Sequence, residues 1–146
     1  MLPRLKHGEN GKGVKSRWDA QTLARRIRNI QHIREKITFV NGDGIAVVEK
    51  YAPQKTTAFF IDPPYTAGKA GKRAGKRLYT HNELDHEDLF RQSAKIKGDV
   101  LLTYDNAEEV IQLAARHGFS TRLISMMNTH HATMQELVIS NNLAWD

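Results

Sequence analysis

The sequence predicts an α/β domain, and three observations carry that prediction. Two short apolar runs, Ala58-Phe-Phe-Ile61 and Val100-Leu-Leu-Thr-Tyr104, are separated by a stretch with helical spacing and a strong start signal. A second helical stretch lies between Val100–Tyr104 and a later β-rich run, Phe119 to Met126. The last two β-rich runs, Phe119 to Met126 and Glu136 to Ser140, are joined only by a polar loop, Met127 to Gln135. Strands that alternate with helices pair in parallel, because a parallel neighbour requires a crossover. Strands without a helix between them pair antiparallel. The expected architecture is an incomplete doubly wound, mostly parallel sheet with an antiparallel C-terminal edge strand.

Each element has a local reason. Residues 1–17 are glycine-rich and lack apolar periodicity, so they read as a loop. Trp18 to Lys36 reads as a helix, with Asp19 as N-cap and Leu23, Ile27, Ile30 and Ile33 at helical spacing; Arg34 interrupts the stripe. Ile37-Thr-Phe-Val40 reads as a short strand ending in the turn cluster Asn41-Gly-Asp-Gly44, before a brief helix over Ile45 to Tyr51. Ala58–Ile61 is apolar throughout, as a strand buried on both faces must be. It stops at Asp62-Pro63-Pro64-Tyr65, since proline has no N–H to give a ladder.

A glycine- and lysine-rich loop runs to about Asn82. Asp85 with Asp88 approximates a capping box, and Leu84 with Leu89 stands at staple spacing. Asn106 with Glu109 repeats the box before the next helix, which Gly118 closes after the basic Arg116 and His117.

Composition narrows the function. With 146 residues, 40% of them hydrophobic and 26% charged, the chain has the make-up of one globular domain. The absence of cysteine excludes a disulfide framework, a thiolate zinc site and a cysteine nucleophile. No apolar run approaches the ~20 residues of a membrane span, and the polar start lacks the apolar core of a secretion signal. A cytoplasmic location without membrane contact is expected. His130 and His131 sit in a polar loop without carboxylate or thiol company, and His81 and His86 are spaced five apart across a presumed loop-to-helix junction, so no metal site is expected.

The net charge of +6 is unevenly spread. Residues 1–36 hold ten basic and three acidic side chains, and Thr66 to Asn82 holds Lys69, Lys72, Arg73, Lys76 and Arg77 with no acidic one. Charge alone is compatible with solvated surface or with contact to a polyanion such as nucleic acid.

Asp62-Pro63-Pro64-Tyr65 is the segment that can do chemistry. In an open α/β sheet, ligands bind beyond the carboxyl ends of the strands, and this segment occupies such an end. Stiff proline rings hold the Asp62 carboxylate and the Pro63 carbonyl in place, and both are acceptors. Converging acceptors suit an amino group with two hydrogens, and Tyr65 offers a flat face for a planar ring. An exocyclic nucleobase amine is a poor nucleophile, because its lone pair is delocalised into the ring. Acceptors around its N–H bonds favour the pyramidal nitrogen of the transition state. Alignment with an electrophilic methyl group supplies the remainder, with no nucleophilic side chain or metal.

Phe59-Phe-Ile-Asp-Pro-Pro-Tyr65 resembles the signature of S-adenosylmethionine-dependent amino-methyltransferases. With Gly75-Lys-Arg-Leu-Tyr79, Leu102-Thr-Tyr-Asp-Asn106 and Glu136-Leu-Val-Ile-Ser-Asn141, the ordered set resembles the Dam-like adenine-specific DNA methyltransferases of phage or prophage type, from about Arg17 to Asn141. The resemblance implies a Rossmann-like methyltransferase sheet and transfer of a methyl group to the N6 amine of an adenine flipped out of double-stranded DNA. It implies a catalytic group of Asp62, Pro63, Pro64 and Tyr65, with Tyr65 stacked on the base. It implies that Asp43 and Asp62 border the cofactor, and that Tyr79 with Lys69, Lys72, Arg73, Lys76 and Arg77 faces DNA. Residues 1–17 would be a remnant of the target-recognition region, and residues 18–146 a partial catalytic domain.

The family also has a glycine-rich turn after its first strand, which forms the methionine and ribose side of the cofactor pocket. Here the clusters Gly8 to Gly13, Gly42 to Gly44 and Gly68 to Gly75 do not match it. The expectation is a C-terminal half, weakly active or inactive alone, whose sheet a separate N-terminal polypeptide completes. The alternatives are a non-catalytic nucleic-acid-binding fragment, or a methyltransferase acting on RNA or on glutamine.

Overall fold

A computed structural model describes residues 19–64, 84–127 and 133–144. The chain divides into two compact units, residues 1–41 and 42–146.

In the first unit, helix α1 spans Ala20–Ile30, and the Asp19 carboxylate accepts from the Thr22 N–H at 3.1 Å as its N-cap. The helix is shorter than its spacing predicts, and Arg34–Lys36 is a single 3₁₀ turn. Asn29, Ile30, His32 and Ile33 are mediocre helix formers, and little apolar burial offsets their cost, since Ile27, Ile30 and Ile33 stay at least half exposed. Ile37–Val40 forms no strand, which corrects the sequence expectation. A strand exists only through ladder bonds to a neighbour, and Phe39 here is 86% exposed.

The second unit holds α2 (Gly44–Tyr51), β1 (Ala58–Ile61), α3 (His86–Ser93), β2 (Asp99–Asp105), α4 (Glu108–Arg116), β3 (Ser120–Met127) and β4 (Thr133–Ser140). The strands form one mixed sheet in the order β1-β2-β4-β3. β1 pairs parallel with β2, whereas β4 pairs antiparallel with both β2 and β3. It follows that β1, β2 and β3 point the same way and β4 alone opposes them.

The expectation of a mostly parallel sheet is therefore corrected, for only one of these pairings is parallel. Two causes combine: Ile37–Val40 does not join the sheet, and the β3–β4 hairpin supplies antiparallel contacts on both sides of β4. The C-terminal strand is also not at the edge. Leu137, Val138 and Ile139 are all buried, so β4 is apolar on both faces and belongs inside. β3, with Arg122, Leu123, Ile124 and Ser125 exposed, takes the edge instead.

Alternation along the strands separates two faces. On one, Val100, Leu102 and Tyr104 of β2 and Leu137 and Ile139 of β4 join Leu89 and Phe90 of α3 and Val110, Leu113 and Ala114 of α4 in a single buried cluster. Phe90 anchors it, edge-on to Phe119 at 5.9 Å and tilted to Tyr104 at 5.6 Å between ring centres. On the other face Thr103, Val138 and Ser140 are buried, while Phe60 remains 68% exposed.

The helix ends follow local chemistry with one exception. Asp85 caps α3 by accepting from the Asp88 N–H at 3.0 Å, and buried Leu89 meets its staple partner Leu84 in the core. Gly118, at φ +78°, ends α4 in a left-handed turn that sends the Phe119 N–H back to the Ala114 carbonyl at 2.9 Å. Asn106, however, is not the cap of α4. The helix starts one residue later, from Ala107, which has no side-chain bond to give. Glu108 and Glu109 in the first turn oppose the exposed N–H dipoles instead.

Asn141 locks the start of β2 to the end of β4. Its side-chain N–H donates to the Gly98 carbonyl at 2.8 Å, and its oxygen accepts from the Val100 N–H at 3.1 Å. Asn141→Ala is expected to cost about 2 kcal/mol, since it removes two half-buried bonds. Asn141→Asp, which keeps the acceptor alone, falls between. Thermal melting followed by circular dichroism checks the ranking, and an alanine variant that melts with the wild type contradicts it.

Candidate functional site

The common direction of β1 and β2 brings their carboxyl ends together, and the register decides which side chains meet there. Ile61 pairs with Leu102, so Asp62 and Thr103 fall next to each other one step further on. The Thr103 hydroxyl donates to Asp62 Oδ1 at 2.9 Å. Thr103 is buried, while Asp62 lies exposed at the rim and Pro63 and Pro64 are half-buried behind it. Asp62 thus presents a carboxylate that accepts from the Thr103 hydroxyl, followed by two residues without an N–H.

Two residues beyond Thr103, on the same side of β2, comes Asp105, paired across the ladder with Glu136 of β4. Burial, and then the neighbouring Glu136, push the Asp105 carboxyl above the usual aspartate range. The rim therefore favours groups that bring hydrogens or positive charge. Among the described residues, no three His, Cys, Asp or Glu side chains gather in a way that could hold a metal ion.

Tyr104, between these residues, points the other way. It is 1% exposed, and its hydroxyl stands 3.0 Å from His86 Nδ1. Burial pushes the phenol up, so it keeps its proton, and it shares a hydrogen bond with Nδ1 whose direction follows the imidazole tautomer. Burial also holds His86 below the ordinary histidine range, partly opposed by Asp85. Of the segment Tyr104-Asp105-Asn106, Asp105 faces the rim that holds Asp62, whereas Tyr104 belongs to the core.

Asp43 lies in the same unit and caps α2, its Oδ1 accepting from the Ile45 N–H at 3.0 Å. A capping oxygen keeps further lone pairs, so this carboxylate can also accept from a ligand amine. Tyr65, Lys69, Lys72, Arg73, Lys76, Arg77 and Tyr79 lie outside the described residues. A groove of about 330 Å³ runs over Ala58, Phe60, Asp99 and Leu101, at the amino ends of β1 and β2. It is at the opposite end of the strands from Asp62 and takes no part in this site.

Sequence reading missed Thr103. It stands inside the quoted segment Leu102–Asn106, yet no local pattern marks a strand threonine as the partner of an aspartate 41 residues away. The usable signal was the matching depth of the two apolar runs, which places Asp62 and Thr103 at one level if the strands are neighbours. No protein-family model matches the chain, and no curated protein matches it.

Proposed function

We propose that this chain contributes the amine-binding portion of an S-adenosylmethionine-dependent methyltransferase acting on the N6 amine of adenine in DNA. The observation that carries this reading is Asp62-Pro63-Pro64 at the carboxyl end of β1, with the carboxylate held by Thr103. Such a tethered acceptor, next to a proline carbonyl, suits a substrate with two N–H bonds on one nitrogen. Its electrostatic effect is largest when those bonds polarise as the nitrogen becomes pyramidal.

S-adenosylmethionine, when bound, supplies the electrophilic methyl group. Its fit rests on Asp43 and Asp62, two carboxylates suited to the amine hydrogens and positive charge of that molecule. Asp62 and the Pro63 carbonyl orient the adenine amine, and Tyr65 stacks on the base. Lys69, Lys72, Arg73, Lys76, Arg77 and Tyr79 contact the duplex. A separate N-terminal polypeptide completes the pocket and the sheet. The exposed Phe60 on β1, a strand at the end of the described sheet, supports such a continuation.

A non-catalytic nucleic-acid-binding role is the second reading, favoured by the ten basic side chains within residues 1–36. Calorimetry with S-adenosylmethionine separates the two. Methyl transfer predicts heat of binding and weak labelling of adenine by the chain alone, rising when the reading frame upstream is co-expressed. No heat, with DNA still bound, selects the second reading. Labelling of RNA or of a glutamine side chain in place of DNA would redirect the substrate while leaving the chemistry unchanged.

A further inference from the structure

Helix α1 carries its large apolar side chains in one narrow stripe. Leu23, Ile27 and Ile30 follow one another at steps of four and three residues, the alternation that keeps a seam on one side of a helix. Leu23 is half-buried, but Ile27 and Ile30 are 64% and 50% exposed, and no residue of the helix is buried. The arginines are ordered around this stripe. By helical spacing Arg26 borders it on one side and Arg28 on the other, beyond Ala24, while Arg25 lies at the back. Among the described residues, no carboxylate pairs with any of the three. The helix has no Asp or Glu of its own, and the Asp19 carboxylate before it is taken up in capping the Thr22 N–H.

These two features together select the occupant. It must cover an apolar seam about two helical turns long and bring negative charge to both borders. A second copy of α1 supplies the seam but no carboxylate for the borders. A nucleic-acid duplex supplies the charge but leaves Ile27 and Ile30 in water. A bilayer takes up a wide apolar face with aromatic side chains, whereas this stripe is narrow and α1 has no aromatic residue. We propose that α1 is a docking surface for a protein helix that carries an apolar seam at the same spacing, bordered by Asp or Glu side chains. The two seams bury each other, and the arginines at the rim decide which partner is accepted and in which register. This inference stands on the first unit alone and is independent of methyl transfer.

The test uses three labelled synthetic peptides of about three heptads each, titrated with the 146-residue chain and followed by fluorescence anisotropy. One has a leucine seam bordered by glutamates, the second replaces each glutamate by lysine, and the third scrambles the first. The glutamate peptide is expected to bind saturably and at least about tenfold more tightly than either control. Its affinity is expected to fall severalfold as sodium chloride rises from about 50 mM to about 300 mM. Arg26→Glu combined with Arg28→Glu is expected to turn the preference toward the lysine peptide, and Ile27→Asp to remove binding of both. All three positions are exposed, and circular dichroism of each variant checks that the fold persists.

Failure of the glutamate peptide to bind overturns the proposal, and so does equal binding of the glutamate and lysine peptides. An unchanged preference after the double charge reversal overturns it too. Two further arms identify the other occupants. Capture by phosphatidylglycerol vesicles that Ile27→Asp abolishes, with no peptide bound, makes α1 a lipid-binding helix. Dimerisation in sedimentation velocity that Ile27→Asp abolishes, again with no peptide bound, makes it a self-association surface. Either result overturns the proposal.

Discussion

Gly98→Ala is expected to destabilise the second unit strongly. A Cβ at this position would stand 1.9 Å from the Thr57 carbonyl oxygen and 3.0 Å from its carbon. Both atoms are backbone, so no side-chain rotation relieves the clash. The neighbours make retreat costly. Lys97 donates its N–H to the Ala52 carbonyl at 2.9 Å and Asp99 donates to Thr57 at 3.1 Å, on either side of the glycine. Moving Gly98 away breaks both bonds and the Ala58–Asp99 pair that opens the parallel ladder. A loss of at least about 3 kcal/mol is expected, a large share of the roughly 5–15 kcal/mol that holds a domain together. Urea unfolding followed by circular dichroism measures it. An alanine variant that unfolds at the wild-type midpoint would show that the turn before β1 is free to move and that the close approach is not required.

Under the proposed methyl transfer, Asp62→Ala is expected to lower methyl incorporation about 100-fold or more, while the fold persists. Asp62 is exposed and lies past the ladder, so its removal, which includes the hydrogen bond from Thr103, forfeits little packing. Asp62→Asn is the sharper variant. An amide has a single carbonyl oxygen, and the Thr103 hydroxyl claims an acceptor at the Oδ1 position. The nitrogen then faces the substrate amine, donor against donor, so the asparagine variant is expected to lose nearly as much as alanine. Initial rates with labelled S-adenosylmethionine and adenine-containing DNA, alongside melting curves, check both. Full rates in Asp62→Ala would remove the basis of the functional proposal.

Capping and turn chemistry were legible because they are local. Asp85 and Asp88 lie within one helical turn and define the start of α3 through bonds between near neighbours. Gly118 needs nothing beyond its own freedom at positive φ. The apolar run Ala58–Ile61 and its end at Asp62 were equally readable, since two prolines stop a ladder in any context. Ile37–Val40 misled for the converse reason. Its residues favour extended backbone, but that preference is worth little without a partner strand, and Phe39 shows that none shields it.

Local patterns of residues set where β1 and β2 run, where the helices between and after them run, and that an acceptor-rich segment sits at a strand end. These are decided by side-chain spacing, caps and missing donors within a few residues. Only the tertiary structure decided that β4 enters between β2 and β3, and that Thr103 and Asp62, 41 residues apart, share a hydrogen bond. Strand neighbours are chosen by which apolar faces bury one another best across the whole sheet. That competition among distant segments leaves no mark on any one of them.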